Sequence, residues 1–329
     1  MDEKNIIMSK TPYQKPFQTG LELCNKLVAE GMVINDITNA AKSIENFSYY
    51  RFKAYLIPFR VPTNKSHFLN NTTFERVRNL YYFDESLREM LFGFIQKIEV
   101  LLRSTFDRHI AQQTQNNFWY LDSSLFKENK NVHGTVNTVR SYFLESSEEF
   151  AQHFRQKYFN PYCPFYRDLP PSWVAIELMS FGNLKKFMEA IAEDKIVGLK
   201  LDRFARKIGC SNYQTLLNWI ALIHEVRNCC CHHARVFNRN FSAPVGIKSR
   251  LSKNISLVKC QTAKGGQEDQ LNRIYSCLVI IQILLNSSVY QNIVGNKLQL
   301  LFQEHQIGLE FLPSMGIPKD WQQEPLFFA

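Results

Sequence analysis

From Thr72 or Thr73 to Ile110 one apolar stripe runs at helical spacing: Phe74, Val77, Leu80, Tyr81, Phe83, Leu87, Leu91, Phe94, Ile95, Ile98, Leu101 and Leu102. It is the longest helical pattern in the chain, and its apolar face must be buried against other elements. The polar face carries Asp84 with Arg88 and Glu99 with Arg103, acid-to-base pairs at i, i+4. Such pairs read as exposed helix supports worth a few tenths of a kcal/mol. No stretch alternates convincingly as a strand does, and no repeat of roughly 20 to 50 residues is present. The expected fold is therefore all-α.

The other segments fit around that helix. Residues 1–16, with Pro12 and Pro16, read as an extended lead-in, and Thr19 to Glu30 as a helix that Gly31 ends. Asn35 or Asp36 caps a second helix to about Asn46. Phe47 to Phe59 is rich in aromatic residues around Arg51 and Lys53, with Pro58 stopping any helix. Interleaved rings and cations make a base-stacking surface, or else the rings pack between helices while the cations reach outward. A polar loop, Pro62 to Asn71, closes this region, which divides the chain into residues 1–71 and 72–329. Beyond the long helix come a polar loop at 112–130 around Phe118, Trp119 and Tyr120, and a helix to about Tyr158. A connector follows at Pro161, Pro164, Pro170 and Pro171, then helices from Ser172 to Gly182 and from Leu184 to Ala192. Leu201 to Ile208 offers a small basic face. A central helix is expected from Tyr213 to about Asn238, and a final one from Leu271 to about Leu301. Between them, residues 240–270 read as a mobile basic loop carrying Lys248, Arg250, Lys253, Lys259 and Lys264.

The 329 residues carry a formal net charge of +9, with a pI near 9.1. Such a surface attracts polyanions, nucleic acid ahead of an anionic membrane. The eight cysteines, Cys163 among them, show no framework spacing, and three are consecutive. Reduced thiols in a cytosolic compartment fit this better than disulfides. The N-terminus lacks the pattern of a signal peptide. The longest apolar run, Cys277 to Leu285, falls short of the about 20 residues a spanning helix needs. A soluble, cytoplasmic protein without membrane contact is expected.

Titratable chemistry is densest in Arg227-Asn228-Cys229-Cys230-Cys231-His232-His233, continuing to Arg235, Asn238 and Arg239. On an ideal helical wheel Leu216, Trp219, Ile220, Ile223, Cys230 and Phe237 share the buried face, with Val226 just outside it. Asn228, His232, Arg235 and Arg239 form a second stripe, whereas His233 lies near the core edge. His232 is thus the histidine for chemistry and His233 the one for structure or orientation. Arg227 points about 140° away from His232 and close to the apolar face. Either the helix is distorted there, or the long side chain curls round, or a buried acid, Glu99 or Glu225, holds Arg227 and presents it to a symmetry mate. An imidazole and a guanidinium beside an RNA phosphodiester can cleave it without metal: the first moves a proton and the second stabilises phosphate charge. Zinc held by the Cys and His cluster is disfavoured, because adjacent helical residues diverge by about 100° and cannot converge on one ion. No metal or cofactor is called for. A nucleophilic cysteine lacks any supporting context, and a surface helix that merely happens to be rich in Arg and His stays open.

The segment Arg227 to Arg239 resembles the signature of the Abi-like family of bacterial abortive-infection proteins, the AbiD/AbiF group, assigned to the HEPN superfamily. Its motif is Arg, then four to six residues beginning with a polar one, then His. Similar to the same family are Phe47 to Arg60, Leu80 to Ser104, Pro171 to Leu184 and Gly316 to Phe328. The resemblance implies an all-α HEPN-type bundle with added N-terminal helices and a C-terminal helix and tail. It implies metal-independent RNA cleavage in anti-phage defence or as a toxin, at a site composed across a symmetric homodimer. Residue by residue, Arg227 is the motif arginine, Asn228 its polar neighbour and His232 its histidine, with His233 filling the longer spacing. Arg235 and Arg239 match the trailing arginines. The cysteine triplet departs from the small or apolar residues more typical there.

Two readings follow. In one, the chain is a dimeric endoribonuclease, with Arg227, Asn228, His232 and His233 catalytic and Arg235, Arg239, Arg51, Lys53, Lys248 and Arg250 binding RNA. In the other it binds RNA without cutting it, working with a partner RNA or protein. An antitoxin or regulatory RNA is the further partner such a system admits.

Overall fold

The computed structural model describes residues 13–161, 168–263 and 265–328. The N-terminal part of the expected lead-in, with Pro12, and Cys163, Pro164 and Lys264 lie outside the described residues. The fold is all-α, with two short two-stranded sheets among the described residues. The chain divides into two compact units, Met1–Phe83 and Asp84–Ala329.

In the first unit, α1 (Gly20–Ala29) opens on a capping box in which Thr19 and Glu22 satisfy each other's backbone N–H groups. Asp36 caps α2 (Ile37–Phe47) by accepting from Asn39 N–H at 2.9 Å. The two helices approach closely at Gly20, where a Cβ would stand 2.6 Å from the Ala41 carbonyl oxygen. A short helix α3 (Tyr49–Leu56) and a hairpin of β1 (Arg60–Val61) with β2 (Asn64–Phe68) follow. The aromatic stretch is mostly core: Phe52 and Tyr55 are buried, Phe47 stacks on Tyr81 at 4.3 Å, and Phe52 lies 5.1 Å from Phe74. Of its rings Tyr50 is the one that stands fully out.

The long stripe is one helix, α4 (Phe74–Thr114), of 41 residues, and the boundary between the two units falls within it. Thr73 Oγ1 accepts from Arg76 N–H at 3.2 Å, satisfying a donor that a helix start leaves free.

In the second unit, the expected polar loop after α4 is anchored by buried rings. Trp119 donates from Nε1 to Asp107 at 2.8 Å, and the Tyr120 hydroxyl to the Pro170 carbonyl at 2.7 Å. The chain then runs through α5 (Val132–Glu145), α6 (Glu149–Lys157), α7 (Ser172–Leu178), α8 (Phe181–Ala190), α9 (Lys195–Gly198) and α10 (Leu201–Lys207). The central helix α11 (Tyr213–Cys231) packs against α8, α10 and the later helix α12 (Ile274–Asn286). Leu216, Trp219, Ile220, Ile223 and Val226 are its buried face, as the wheel indicates.

Several expectations change in this unit, and the helix expected up to about Tyr158 is two, α5 and α6. The 240–270 segment is packed, not a mobile loop. Ile247, Leu251 and Ile255 are buried, Trp219 Nε1 donates to the Val245 carbonyl at 2.9 Å, and β3 (Lys259–Gln261) pairs antiparallel with β4 (Gln267–Asp269). Apolar residues spaced between its cations draw it onto the core. The single final helix is two, α12 (Ile274–Asn286) and α13 (Ile293–Glu304), before the short α14 (Pro325–Phe328). α12 is buried almost all round, including Gln282, whose Oε1 accepts from Val294 N–H at 2.9 Å and so satisfies the start of α13.

Candidate functional site at the end of α11

The motif does not ride on one continuous helix. α11 closes at Cys231, and His232 is its C-terminal cap. His233 takes a left-handed conformation, φ 53°, with its N–H on the Cys230 carbonyl at 3.0 Å and the Ala234 N–H on the Cys229 carbonyl at 2.8 Å. These two reverse bonds are the Schellman arrangement, normally built with glycine at the left-handed position. The expected stripe of Asn228, His232, Arg235 and Arg239 is thus broken after Cys231. Asn228 stays on the helix, the two histidines mark its end, and Arg235 and Arg239 lie on the loop beyond. His233 is exposed at the cap and not at the core edge, and His232 is exposed beside it.

A buried charge holds that loop. Asp84, wholly buried on α4, accepts from the Phe237 N–H at 2.6 Å and the Val236 N–H at 3.2 Å, and its other oxygen receives Arg88 at 2.5 Å. The Asp84 and Arg88 pair is therefore internal, not the exposed helix support the i, i+4 spacing indicates. With Val236 and Phe237 pinned by the carboxylate and buried, Arg235, Asn238 and Arg239 are presented at partly exposed positions between and beyond them.

Arg227 is half-buried, close to the apolar face as its wheel position requires, and its Nε is buried without a hydrogen-bond partner. Neither acid considered for it takes the role: Glu99 pairs with Arg103, and no ion pair joins Glu225 to Arg227. Arg103 also donates to the Glu177 carbonyl at 3.0 Å and the Met179 carbonyl at 2.7 Å, tying α4 to the end of α7.

Two further residues join the site. His224 lies three and four positions before Arg227 and Asn228, on the same side of α11. Burial first, then the charges of Lys185 and Arg227, hold its imidazole below the usual value, so it is neutral near pH 7. Arg273, which caps α12, donates to Asn238 Oδ1 at 3.0 Å; burial first, then the nearby Arg235, weakens its hold on its proton. His224 was legible from the same wheel, whereas nothing local announces Arg273, which comes from 34 residues after Arg239 in the sequence.

The cysteine triplet offers no thiolate at its two buried members. Burial pushes the Cys230 thiol up to about 12 and raises Cys229 as well. The seven cysteines among the described residues are free thiols. No group of three or more His, Cys, Asp or Glu among the described residues is placed to hold a metal ion.

The remaining basic residues of the sequence reading lie elsewhere. Lys248 is exposed and pairs with Asp269 at 2.6 Å; Arg250 is exposed at the end of a short 3-10 turn. Lys53 is exposed and Arg51 half-buried on α3, within the first unit.

These features define an all-α protein that gathers histidines and arginines at one helix C-terminus and along the loop that follows. A family model described as Abi-like protein matches residues 42–238, and the chain belongs to that family. The family associates it with abortive infection. No curated protein and no solved structure matches the chain. Among the described residues no helix is long and apolar enough to cross a membrane.

Proposed function

We propose that the chain is a HEPN-type endoribonuclease of an abortive-infection or toxin system, acting on RNA in the cytoplasm as a homodimer and without a metal. The observation that carries this reading is the helix end itself. It sets Arg227 and Asn228 on the last turns of α11 and exposes His232 and His233 immediately past them, on a loop clamped by Asp84. An imidazole there takes the proton of a 2′-hydroxyl, whose oxygen attacks the adjacent phosphorus. A second imidazole, supplied by the partner copy, returns a proton to the departing 5′-oxygen, leaving a 2′,3′-cyclic phosphate. Arg227 stabilises the charge that builds on the phosphate, and Asn228 orients it. Arg235, Arg239 and Arg273 supply cations along the strand.

Purified protein incubated with mixed RNA in EDTA should cleave it, leave DNA of the same sequence intact, and lose cleavage in His232→Ala. Absence of cleavage, or a fully active His232→Ala, refutes the reading. Tight, salt-sensitive RNA binding without turnover would instead support a non-catalytic RNA-binding protein that works with a partner RNA or protein.

A further inference from the structure

The polar junction where the start of α8 meets α11 holds more donors than acceptors. His224 Nε2 lies so close to Gly182 that a Cβ there would stand 3.2 Å from it, and its ring centroid is 5.9 Å from that of Phe181. A side chain at Gly182 would press on the imidazole and shift it by a few tenths of an ångström. The charges around it nearly cancel in pairs: Lys185 is bound by Glu189 at 2.7 Å, and Arg103 by Glu99. Arg227, one helical turn beyond His224, has no such acid, and its buried Nε has no acceptor. The Nδ2 of Asn183, a buried residue on the first turn of α8, lacks one too. A buried donor without an acceptor is unfavourable, so Arg227 is the group here that gains most from an anion brought in from outside the chain.

We propose that His224 and Arg227 together form a subsite for a backbone phosphate of bound RNA, on the α8 side of α11. This rests on the reading of the chain as an RNA-processing protein and adds a residue that lies outside the Arg227 to Arg239 segment. The chemistry suits a phosphate. A neutral imidazole keeps one N–H to donate, and Arg227 supplies the charge and a planar fork of donors. Oxygens of a phosphodiester can accept from both, and Arg227 is the cation there that no acid among the described residues already pairs. His224 moves no proton in this assignment; it holds the strand in place.

The test uses the full chain with 13C-labelled histidine, titrated with inorganic phosphate and followed by NMR. Eight histidines make the spectrum tractable, and His224→Gln assigns the signal. The His224 signal should shift saturably, with affinity about tenfold weaker in Arg227→Ala and partly restored in Arg227→Lys. A His224 signal that does not saturate, or that shifts equally in wild type and Arg227→Ala, overturns the subsite. Arg227→Lys, which preserves charge and most of the packing, covers the case in which the alanine variant does not fold. The readout needs no cleavage. A chain that fails the EDTA assay but passes this one keeps the phosphate subsite and loses the nuclease reading.

Discussion

Replacing Asp84 by alanine should destabilise the second unit far more than an i, i+4 ion pair on a helix surface would allow. Asp84 is wholly buried, and Arg88 is 5% exposed. Removing the carboxylate strips a buried guanidinium of its counter-charge, which costs about 3–5 kcal/mol when only one member of a buried pair is removed. It also takes the acceptor from the Val236 and Phe237 N–H groups, at about 1–3 kcal/mol for each donor left unsatisfied. The losses share one cause and overlap, so about 5 kcal/mol is expected in all. That is a large part of the about 5–15 kcal/mol by which a domain is usually stable. At about 2–4 °C per kcal/mol for a unit of this size, the Tm should fall by roughly 10–20 °C. Urea denaturation and scanning calorimetry measure the global change. Hydrogen exchange at Val236 and Phe237 should accelerate ahead of the rest and show where it begins. The paired variant Asp84→Leu with Arg88→Met should recover much of the loss, because an apolar pair of similar volume carries no stranded charge. Asp84→Ala melting within about 2 °C of wild type, or a double variant as unstable as the sum of the singles, would refute the account of the loop as charge-clamped.

Two smaller effects should accompany it. His233→Gly removes the penalty of a left-handed backbone at a residue with a Cβ, and should stabilise the protein by up to about 1 kcal/mol in thermal melts. Stability should also fall as the pH drops below about 6.5. His224, facing Lys185, Arg227, Glu189 and Glu99, and His109, facing Lys207, Lys200 and Arg203 with its ring on the Leu199 carbonyl, both have lowered folded-state affinity for protons. The unfolded chain then binds more protons than the folded one through that window, so folding weakens as protons are added. Urea midpoints measured between pH 8 and 5 check this, and His224→Gln should flatten the slope.

Much of this was legible in the residues. The stripe from Phe74 onward is the 41-residue helix, and the apolar face of α11 from Leu216 to Val226 is the core face. Both patterns are long, and period alone identifies a long pattern. The failures share a cause. A helix end written with histidine carries no glycine signal, so the helical periodicity runs on through His233 in the sequence. α12 ends at Asn286 with no glycine after it, and α13 starts behind Asn292, again left-handed and again not glycine. Asp84 with Arg88 looks like any exposed pair at that spacing, and the N–H groups of Val236 and Phe237 that its carboxylate takes lie about 150 residues on. Arg273 joins Asn238 across 35 residues of sequence, a distance no local pattern spans.

The helix end inside the motif also divides it into two kinds of position with different tolerance for changes in length. An insertion or deletion anywhere from His224 to Cys230 would rotate every residue after it by about 100° around α11 and swing Arg227 or the histidines off their side. One at His232 to Ala234 falls beyond the last helical residue, where a turn can absorb it while Arg227, Asn228 and the core behind them keep their places. The spacing between the motif's arginine and its histidine is therefore elastic at one end and rigid at the other. Chains related to this one should vary in length on the His233 side of the cap and hold it constant on the Arg227 side.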